Sequence, residues 1–335
     1  MRKIINSASD FVPEMLEGML LAYGDRLKAL DEDNRVILRN GEPQPGKVGI
    51  VTGGGSGHLP VFVGYVGDGM LDGCAIGNVF ASPSSQKMFE MIKACDFGAG
   101  VLCLYGNYGG DNMNFEMACE HAEFEGIRTI QVRVSDDVAS RPVAEKDKRR
   151  GVAGMVYAFK MAGAAAQKGL PLEGVAAAAR AALDNIRTMG VALSPCIVPE
   201  AGKPTFSIND GEIEIGMGIH GEPGIEVRKM TTADEVVDVV LGRLMAELDL
   251  SAGDEVSVMV NGLGATPLEE LLIAYRRVHQ TLAAGRVKVF MPHVGEFATS
   301  MEMAGLSITL FKLSPANKEY LAAPASTPFY TNANK

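Results

Sequence analysis

The sequence predicts an α/β protein of two domains, the first with a largely parallel, helix-covered sheet and the second of mixed α/β structure. Three observations support this fold class. Short β-rich runs alternate with helical periods in the first half of the chain. The 335 residues exceed the length of one typical domain, and 47% hydrophobic residues suffice for a substantial core. A change of pattern near residue 190 separates the predicted domains, residues 1–190 and 191–335.

The first domain is predicted to contain parallel strands joined by helices. Its strands are predicted at residues 47–51, 101–104 and 127–132. Helical sequence lies between them, which is typical of βαβ units. An alanine-rich stretch over residues 154–189 is broken near Gly169 and Pro171, and it predicts two helices that close the domain.

The second domain is predicted to begin with a hairpin. Apolar and polar residues alternate over residues 207–215 around the turn Asp210-Gly211. Further strands are predicted near residues 256–260, 287–291 and 308–313. We expect the tail after Pro324 to be peripheral.

Two helices of the second domain have recognisable start sequences. Thr232 lies three residues before Glu235, which is the spacing of a capping box. Thr266 and Glu269 repeat this spacing, and Pro267 occupies the favoured first helical position. We expect the apolar side chains at helical spacing to pack in the core, namely Val236, Val240 and Leu244 in the first helix and Leu268, Leu271, Leu272 and Tyr275 in the second.

Composition limits the classes of function. A formal net charge of −10 without a long basic run disfavours sequence-independent binding to nucleic acid or to an anionic membrane. The sequence contains no secretory pattern and no apolar stretch of membrane-spanning length, so we expect a cytoplasmic protein. Without a C-x-x-C pair, the cysteines are expected to be reduced core residues and not metal ligands: Cys74, Cys95, Cys103, Cys119 and Cys196.

A glycine-rich segment, Gly-Gly-Gly-Ser-Gly-His at residues 53–58, follows the first predicted strand. Ligands of open α/β sheets bind at the carboxyl ends of strands, and glycines such as Gly55 let backbone amides approach them closely. The segment lacks the Gly-Lys-Ser/Thr of a phosphate-binding Walker loop. His58 occupies the third glycine position of a dinucleotide fingerprint, so neither nucleotide motif is present. An ordinary tight turn is the alternative.

A second glycine segment, at residues 106–115, follows the strand predicted at 101–104 and contains Asp111. Asp111 is suited to act as the general base that takes a proton from a substrate hydroxyl during phosphoryl transfer. It is also a candidate helix N-cap, and the two roles are compatible.

A third segment, at residues 216–224, places His220 among glycines. A histidine in such a loop does not lie on an apolar helix face. It is either an ordinary loop residue or a nucleophile toward a carbonyl carbon, since neutral imidazole is competent for that attack.

Together these three segments resemble the substrate subunit of bacterial dihydroxyacetone kinases. The resemblance covers almost the whole chain and includes Phe-Ala-Ser-Pro at 80–83, Val-Ser-Asp-Asp-Val at 134–138, Arg-Arg-Gly-Val-Ala-Gly at 149–154 and Val-Asn-Gly-Leu-Gly-Ala-Thr-Pro at 260–267.

The resemblance implies a role for each candidate residue. His220 forms a covalent hemiaminal with the ketone carbon, which selects ketoses over glycerol, and Asp111 takes the hydroxyl proton. His58 orients the substrate and stabilises charge near the transferred phosphoryl group. Gly55 and Ser82 line the hydroxyl pocket.

Two positions depart from the pattern of better-known family members. Gly106 stands where those members have a lysine, and Leu59 replaces an acidic residue directly after the loop histidine. The site therefore loses a cation and gains room. We predict that erythrulose or another four-carbon ketose fits as well as dihydroxyacetone.

The resemblance also implies partners. A separate nucleotide-binding kinase subunit carries ATP, or ADP recharged by the phosphoenolpyruvate phosphotransferase system, with magnesium, so this chain itself binds no nucleotide and no metal. A homodimer is implied as well. The alternative is a ketose-sensing coactivator of a transcriptional regulator, which needs His220 but not Asp111.

Overall fold

The computed structural model describes residues 3–42 and 44–333, and the chain forms two compact units. The first unit comprises the residues up to 134, residues 156–181 and the residues from 319 onward. The second comprises residues 135–155 and 182–318. The chain thus passes between the units four times, which differs from the single predicted boundary at residue 190.

Backbone pairing explains this difference. In the second unit the backbone N–H of Thr188 donates to the carbonyl of Asp136 at 2.9 Å, so residues before 190 belong to this unit's sheet. In the first unit Asp68 and Ser326 form an antiparallel bridge that ties the end of the chain to an early loop. Local sequence patterns do not predict such pairing between distant segments.

The sheet of the first unit has six strands in the order β1-β2-β4-β3-β5-β6. These strands are β1 (Leu27–Ala29), β2 (Val36–Arg39), β3 (Gly49–Ser56), β4 (Gly73–Val79), β5 (Val101–Gly106) and β6 (Thr129–Val134). Strands β4, β3, β5 and β6 run parallel, whereas β1 and β2 are antiparallel additions at one edge. The prediction of a largely parallel sheet is confirmed.

Five helices accompany these strands in sequence: α1 (Phe11–Tyr23), α2 (Ser85–Ala94), α3 (Gly109–Phe124), α4 (Met155–Gln167) and α5 (Leu172–Leu183). The predicted break between α4 and α5 is confirmed, and Gly169 has the positive φ of +74° that favours glycine after a helix. The predicted helical stretch is wrong beyond Leu183, because the following residues form a strand. Within residues 3–42 and 44–333, no helix is long and apolar enough to cross a membrane.

The second unit contains a mixed sheet in the order β11-β10-β13-β7-β8-β9, with β12 also paired to β10. Its strands are β7 (Ile186–Ser194), β8 (Glu212–Ile215), β9 (Glu226–Lys229), β10 (Glu255–Gly262), β11 (Lys288–Val289), β12 (His293–Gly295) and β13 (Ala304–Lys312). Strands β11 and β12 lie parallel to β10, and the other pairs are antiparallel. The prediction of mixed α/β structure is confirmed.

The predicted hairpin over residues 207–215 is wrong. Strand β8 pairs with β7 and β9, and residues 207–209 form no strand. Asn209 instead closes a turn, since its side-chain amide donates to Glu212 Oε2 at 2.8 Å and its carbonyl accepts from the Glu212 backbone N–H. The Asp-Gly turn therefore leads into a strand without connecting two.

Helices α6 (Ala233–Glu247) and α7 (Leu268–Ala284) test the two predicted capping boxes. The box at Thr232 is confirmed, with Glu235 bonding back to the N-cap. The box at Thr266 is wrong, because its hydroxyl donates to the Gly305 carbonyl at 2.6 Å and accepts from the Gly305 N–H. Tertiary pairing with β13 replaces the local cap.

The buried face of α7 also differs from the prediction. Leu271 is buried as expected, but Leu268 and Leu272 are about half exposed. The residues that pack inward are Leu271, Ala274, Val278 and Leu282. In α6, the predicted Val236, Val240 and Leu244 are all buried.

The end of the chain is packed into the first unit, so the expectation of a peripheral tail is wrong. Helix α8 (Pro315–Ala322) leads to the small hairpin β14 (Ala325–Ser326) and β15 (Thr331–Asn332). Thr327 is fully buried and its hydroxyl donates to the Gly64 carbonyl at 2.9 Å. Tyr330 is buried beside it.

The cysteines occupy the positions expected of core residues. All five are free and buried. Burial raises the pKa of the Cys74 thiol, which keeps it protonated and unreactive.

Two glycines on helices provide a matched test of this packing. A methyl group on Gly163 of α4 would overlap the carbonyl oxygen of Gly69, whereas Gly242 of α6 is exposed with nothing within 4 Å. We expect Gly163→Ala to lower the free energy of unfolding by about 1–3 kcal/mol through overpacking. Gly242→Ala should raise it by up to about 1 kcal/mol, because alanine favours helix. Urea unfolding measures the free energy of unfolding of both variants. A change of the same sign in both would contradict the packing described.

Candidate functional site

The glycine segment of the first unit lies partly inside a strand. Predicted to follow the strand as a loop, Gly53 to Ser56 instead continue β3 and pair with β4. A side chain on Gly54 would overlap the Phe62 ring, and a methyl on Gly55 would lie 2.7 Å from the Ala81 backbone nitrogen. Both positions therefore require glycine for close packing, which is the reason that sequence pattern alone mistook the strand for a loop.

His58 follows this strand and is fully buried. Its ring stacks on Phe80 with the centroids 4.8 Å apart and meets the edge of Phe62 at 6.3 Å. Phe80 has a φ of +57°, an uncommon conformation for a non-glycine residue. The ring of His58 is thereby held in one orientation by aromatic neighbours.

Asp111 lies in the first turn of α3 and not at its N-cap, which is Tyr108, so the N-cap alternative is wrong. The carboxylate is buried and accepts a hydrogen bond from the Ser82 hydroxyl. Asn114, one turn later, donates to the Pro83 carbonyl at 2.8 Å and so fixes the segment that carries Ser82. A carboxylate in the first turn is also stabilised by the helix dipole.

Gly106 is the last residue of β5 and is buried. It pairs with Val134 of β6, and its carbonyl accepts from the Tyr108 N–H at 2.9 Å. Its φ lies outside the left-handed region. A side chain is therefore compatible with the backbone conformation at this position.

In the second unit His220 lies in the turn between β8 and β9 and is paired with Glu222. The Nδ1 atom of His220 is 2.9 Å from Glu222 Oε1, and the His220 backbone N–H donates to Glu222 Oε2 at 2.9 Å. The side chain of His220 is 24% exposed, so its ring is accessible. A carboxylate acceptor favours the tautomer with hydrogen on Nδ1, which leaves the lone pair on Nε2.

Glu222 was not singled out from the sequence, although its spacing two residues after His220 was visible there. Burial acts to raise the pKa of its carboxyl group, but the hydrogen bond and charge of His220, together with the nearby Arg150 guanidinium, lower that pKa to about 2. Glu222 is therefore ionised at neutral pH and can stabilise positive charge on the imidazole ring.

The loop around His220 is held by its backbone. Ser300 donates from its hydroxyl to the Ile219 carbonyl at 2.5 Å, and the Gly221 N–H donates to the Gly218 carbonyl at 3.1 Å. Gly221 has a φ of +83°, which favours glycine. The sequence offered no indication of Ser300, which lies 80 residues further along the chain.

Within the first unit, the Ser82 hydroxyl donates a hydrogen bond to the Asp111 carboxylate. His58, Gly55, Ser82, Gly106 and Asp111 belong to the first unit, and His220 belongs to the second. The first unit offers a buried carboxylate beside a hydroxyl. The second offers an imidazole polarised by a carboxylate.

Comparison with known proteins gives consistent results. A family model described as the Dak1 domain matches residues 17–329. The chain is 45% identical over 330 residues to a protein of Listeria innocua named PTS-dependent dihydroxyacetone kinase 2, dihydroxyacetone-binding subunit DhaK. The alignment covers 98% of this chain and 99% of that protein.

Two further proteins extend the comparison. The chain is 41% identical to the L-erythrulose kinase of Pectobacterium atrosepticum, with 98% of this chain matched but only 56% of that protein. Among solved structures, the dihydroxyacetone kinase operon co-activator Dha-DhaQ superposes with a TM-score of 0.89 at 31% identity, covering 96% of this chain and 99% of that one.

The pKa of Glu222 generates a prediction about stability. Because this pKa is about 2 in the folded chain and ordinarily 4.5, the ionised group stabilises the fold above pH 4.5, and that stability is lost as the pH falls toward 2. We expect the wild type to lose more free energy of unfolding than Glu222→Gln between about pH 5 and about pH 3. Urea unfolding across this range measures the difference.

The matched control is Glu226→Gln, which removes an exposed carboxylate on β9 of the same unit. This control should follow the wild type. Parallel pH profiles for wild type and Glu222→Gln would contradict the stabilising role of the ionised Glu222.

Proposed function

The chain belongs to the Dak1 domain family, and from this premise we propose that it is the ketose-binding subunit of a dihydroxyacetone-type kinase. Its relatives include subunits of dihydroxyacetone kinase, which are phosphotransferases. The proposal rests on one observation: the imidazole of His220 is accessible, and its Nδ1 lies 2.9 Å from the Glu222 carboxylate.

This pair supports covalent capture of the ketose. The lone pair on His220 Nε2 attacks the ketone carbon and forms a nitrogen–carbon bond, while the carbonyl π electrons move to oxygen and that oxygen takes a proton from solvent. The ring, still protonated on Nδ1, becomes positively charged. The ionised Glu222 beside Nδ1 stabilises this charge. An alcohol such as glycerol has no carbonyl carbon and is not captured.

Asp111 is proposed as the general base that takes the proton of the substrate hydroxyl as the phosphoryl group is transferred. Its burial and its contact with the Ser82 hydroxyl support this role, since a positioned carboxylate is what such a step needs. We assign His58 to orienting the substrate and stabilising charge near the phosphoryl group. Gly55 and Ser82 are assigned to lining the hydroxyl pocket.

The phosphoryl group is proposed to come from a separate nucleotide-binding subunit. That subunit would hold ATP, or ADP recharged through the phosphoenolpyruvate phosphotransferase system, together with magnesium. The name of the Listeria innocua relative, a dihydroxyacetone-binding subunit of a PTS-dependent kinase, supports the second source. This chain is assigned no nucleotide, and we propose that it acts as a homodimer.

The ketose is proposed to have three or four carbons. Gly106 places no side chain at the end of β5, where better-known family members have a lysine, and this would leave room for a fourth carbon. Similarity to an L-erythrulose kinase, of which this chain spans about half, supports a four-carbon substrate.

A second candidate function is ketose sensing. The TM-score of 0.89 to an operon co-activator supports a role in which the captured ketose signals to a transcriptional regulator. Such a role needs His220 but requires no general base, so it does not account for the buried carboxylate of Asp111. The presence of Asp111 favours the kinase.

The central test uses dihydroxyacetone labelled with ¹³C at its ketone carbon and protein labelled with ¹⁵N in histidine. We expect a one-bond ¹³C–¹⁵N coupling in the wild type and its loss in His220→Ala. Asp111→Asn should keep the coupling. With a nucleotide-bearing partner subunit, however, it should lose phosphoryl transfer by about 10²- to 10⁴-fold.

His279→Ala, which removes an exposed histidine of α7, is the control and should behave as the wild type. Without a coupled signal in the wild type, covalent capture would be refuted. An adduct without turnover by any partner subunit would instead favour the sensor.

A second test concerns the ketose. We expect Gly106→Lys to raise the ratio of kcat/KM for dihydroxyacetone over kcat/KM for erythrulose by about tenfold, because the added side chain takes the room for the extra carbon. Gly18→Lys, at an exposed position of α1, adds the same charge as a control. Steady-state kinetics with both sugars measure the ratio. An unchanged ratio in Gly106→Lys would show that Gly106 does not determine the preference between the two ketoses.

A further inference from the structure

We infer that Arg150 is a positioning residue that fixes Glu222 and, through it, the reactive tautomer of His220. The inference rests on the proposed function for the role of His220, but its geometry is independent of any ketose. Arg150 lies on residues 135–155 of the second unit, far in sequence from the histidine loop.

Arg150 is itself held firmly. Its Nε donates to Asp137 Oδ2 at 2.8 Å, and its Nη2 donates to the Gly216 carbonyl at 3.0 Å. Asp137 is buried and also accepts from the Ala139 N–H. A planar guanidinium with donors engaged on two sides has little freedom to rotate.

The remaining edge of the guanidinium faces the carboxylate that holds His220. Nη1 of Arg150 lies 3.9 Å from Glu222 Oε2, close enough for charge attraction but too far for a hydrogen bond. Both Glu222 oxygens stay engaged with His220, one on the ring and one on the backbone N–H. Because Asp137 takes the stronger contact, Arg150 attracts Glu222 without pulling it away from the imidazole.

Gly218 supports the importance of this arrangement. A methyl group there would overlap both Glu222 Oε2 and Arg150 Nη1. The loop backbone therefore passes directly against the point where the two charged groups face each other. A larger residue at position 218 would displace the end of one or both of these side chains.

Arg150 thus acts on the chemistry through Glu222. With Glu222 fixed, hydrogen stays on Nδ1 and the lone pair stays on Nε2, the atom proposed to attack the ketone. Without Arg150, Glu222 loses the charge that faces it and can leave the ring, so the two tautomers of His220 become more equal.

The test measures the tautomer of His220 in the complete chain, without ketose, from the ¹⁵N chemical shifts of histidine-labelled protein. His220→Ala assigns the signals, and the other four histidines serve as an internal reference for the fold. We expect the Nδ1–H form to dominate in the wild type. In Arg150→Met, the ratio of Nδ1–H to Nε2–H should fall by about tenfold.

A double-mutant cycle separates positioning from general support of the fold. If Arg150 acts through Glu222, Arg150→Met should change the tautomer ratio by less than about twofold when Glu222→Gln is already present. Arg141→Met, an exposed neighbour on the same segment, is the matched control and should leave the ratio unchanged. Arg150→Lys, which keeps the charge but not the planar fork, should give an intermediate ratio and replaces Arg150→Met if that variant does not fold.

An unchanged ratio in Arg150→Met, or an equal change with and without Glu222, would overturn the inference. Ketose capture is then measured separately on the same proteins. If the wild type captures no ketose, the proposed function fails while the tautomer comparison still decides the role of Arg150.

Discussion

The closeness of backbone to backbone at a few glycines is the constraint on which the rest of the structure depends. A side chain at Gly55 would meet the backbone of Ala81, and one at Gly305 would overlap the carbonyl of Val191. The first contact brings the end of β3 against the segment that carries Ser82. The second fits β13 against β7 in the other unit. In both units the position of polar groups follows from strands and loops that approach more closely than any other residue type permits.

Each unit contains a carboxylate of the candidate site, and the two carboxylates are stabilised in different ways. Asp111 is buried with a hydroxyl partner, in the first turn of a helix whose dipole favours negative charge. Glu222 accepts hydrogen bonds from the ring and the backbone N–H of His220 and faces the Arg150 guanidinium, so that it stays ionised. In the first arrangement a hydroxyl and a helix dipole stabilise the carboxylate, whereas in the second a guanidinium and an imidazole ring do so.

Sequence reasoning was successful where local chemistry decides the structure. The capping box at Thr232 formed because both partners lie within one turn, and the parallel sheet followed from alternating patterns. It failed where distant residues compete, as at Thr266, whose hydroxyl bonds β13 in place of its own helix. At the candidate site, glycines pointed to His220, but Arg150 reaches Glu222 only through the fold. No local pattern contains that contact.

The packing of the final residues into the first unit has a consequence for the order in which the protein is made. Residues up to 134 emerge from the ribosome before residues 319 onward, yet both segments belong to the first unit. Thr327 and Tyr330 therefore cannot take their buried positions until residues 135–318 have been translated. In sequence, the residues of the second unit all precede residue 319. The second unit can therefore fold before the last segment of the first unit has been translated.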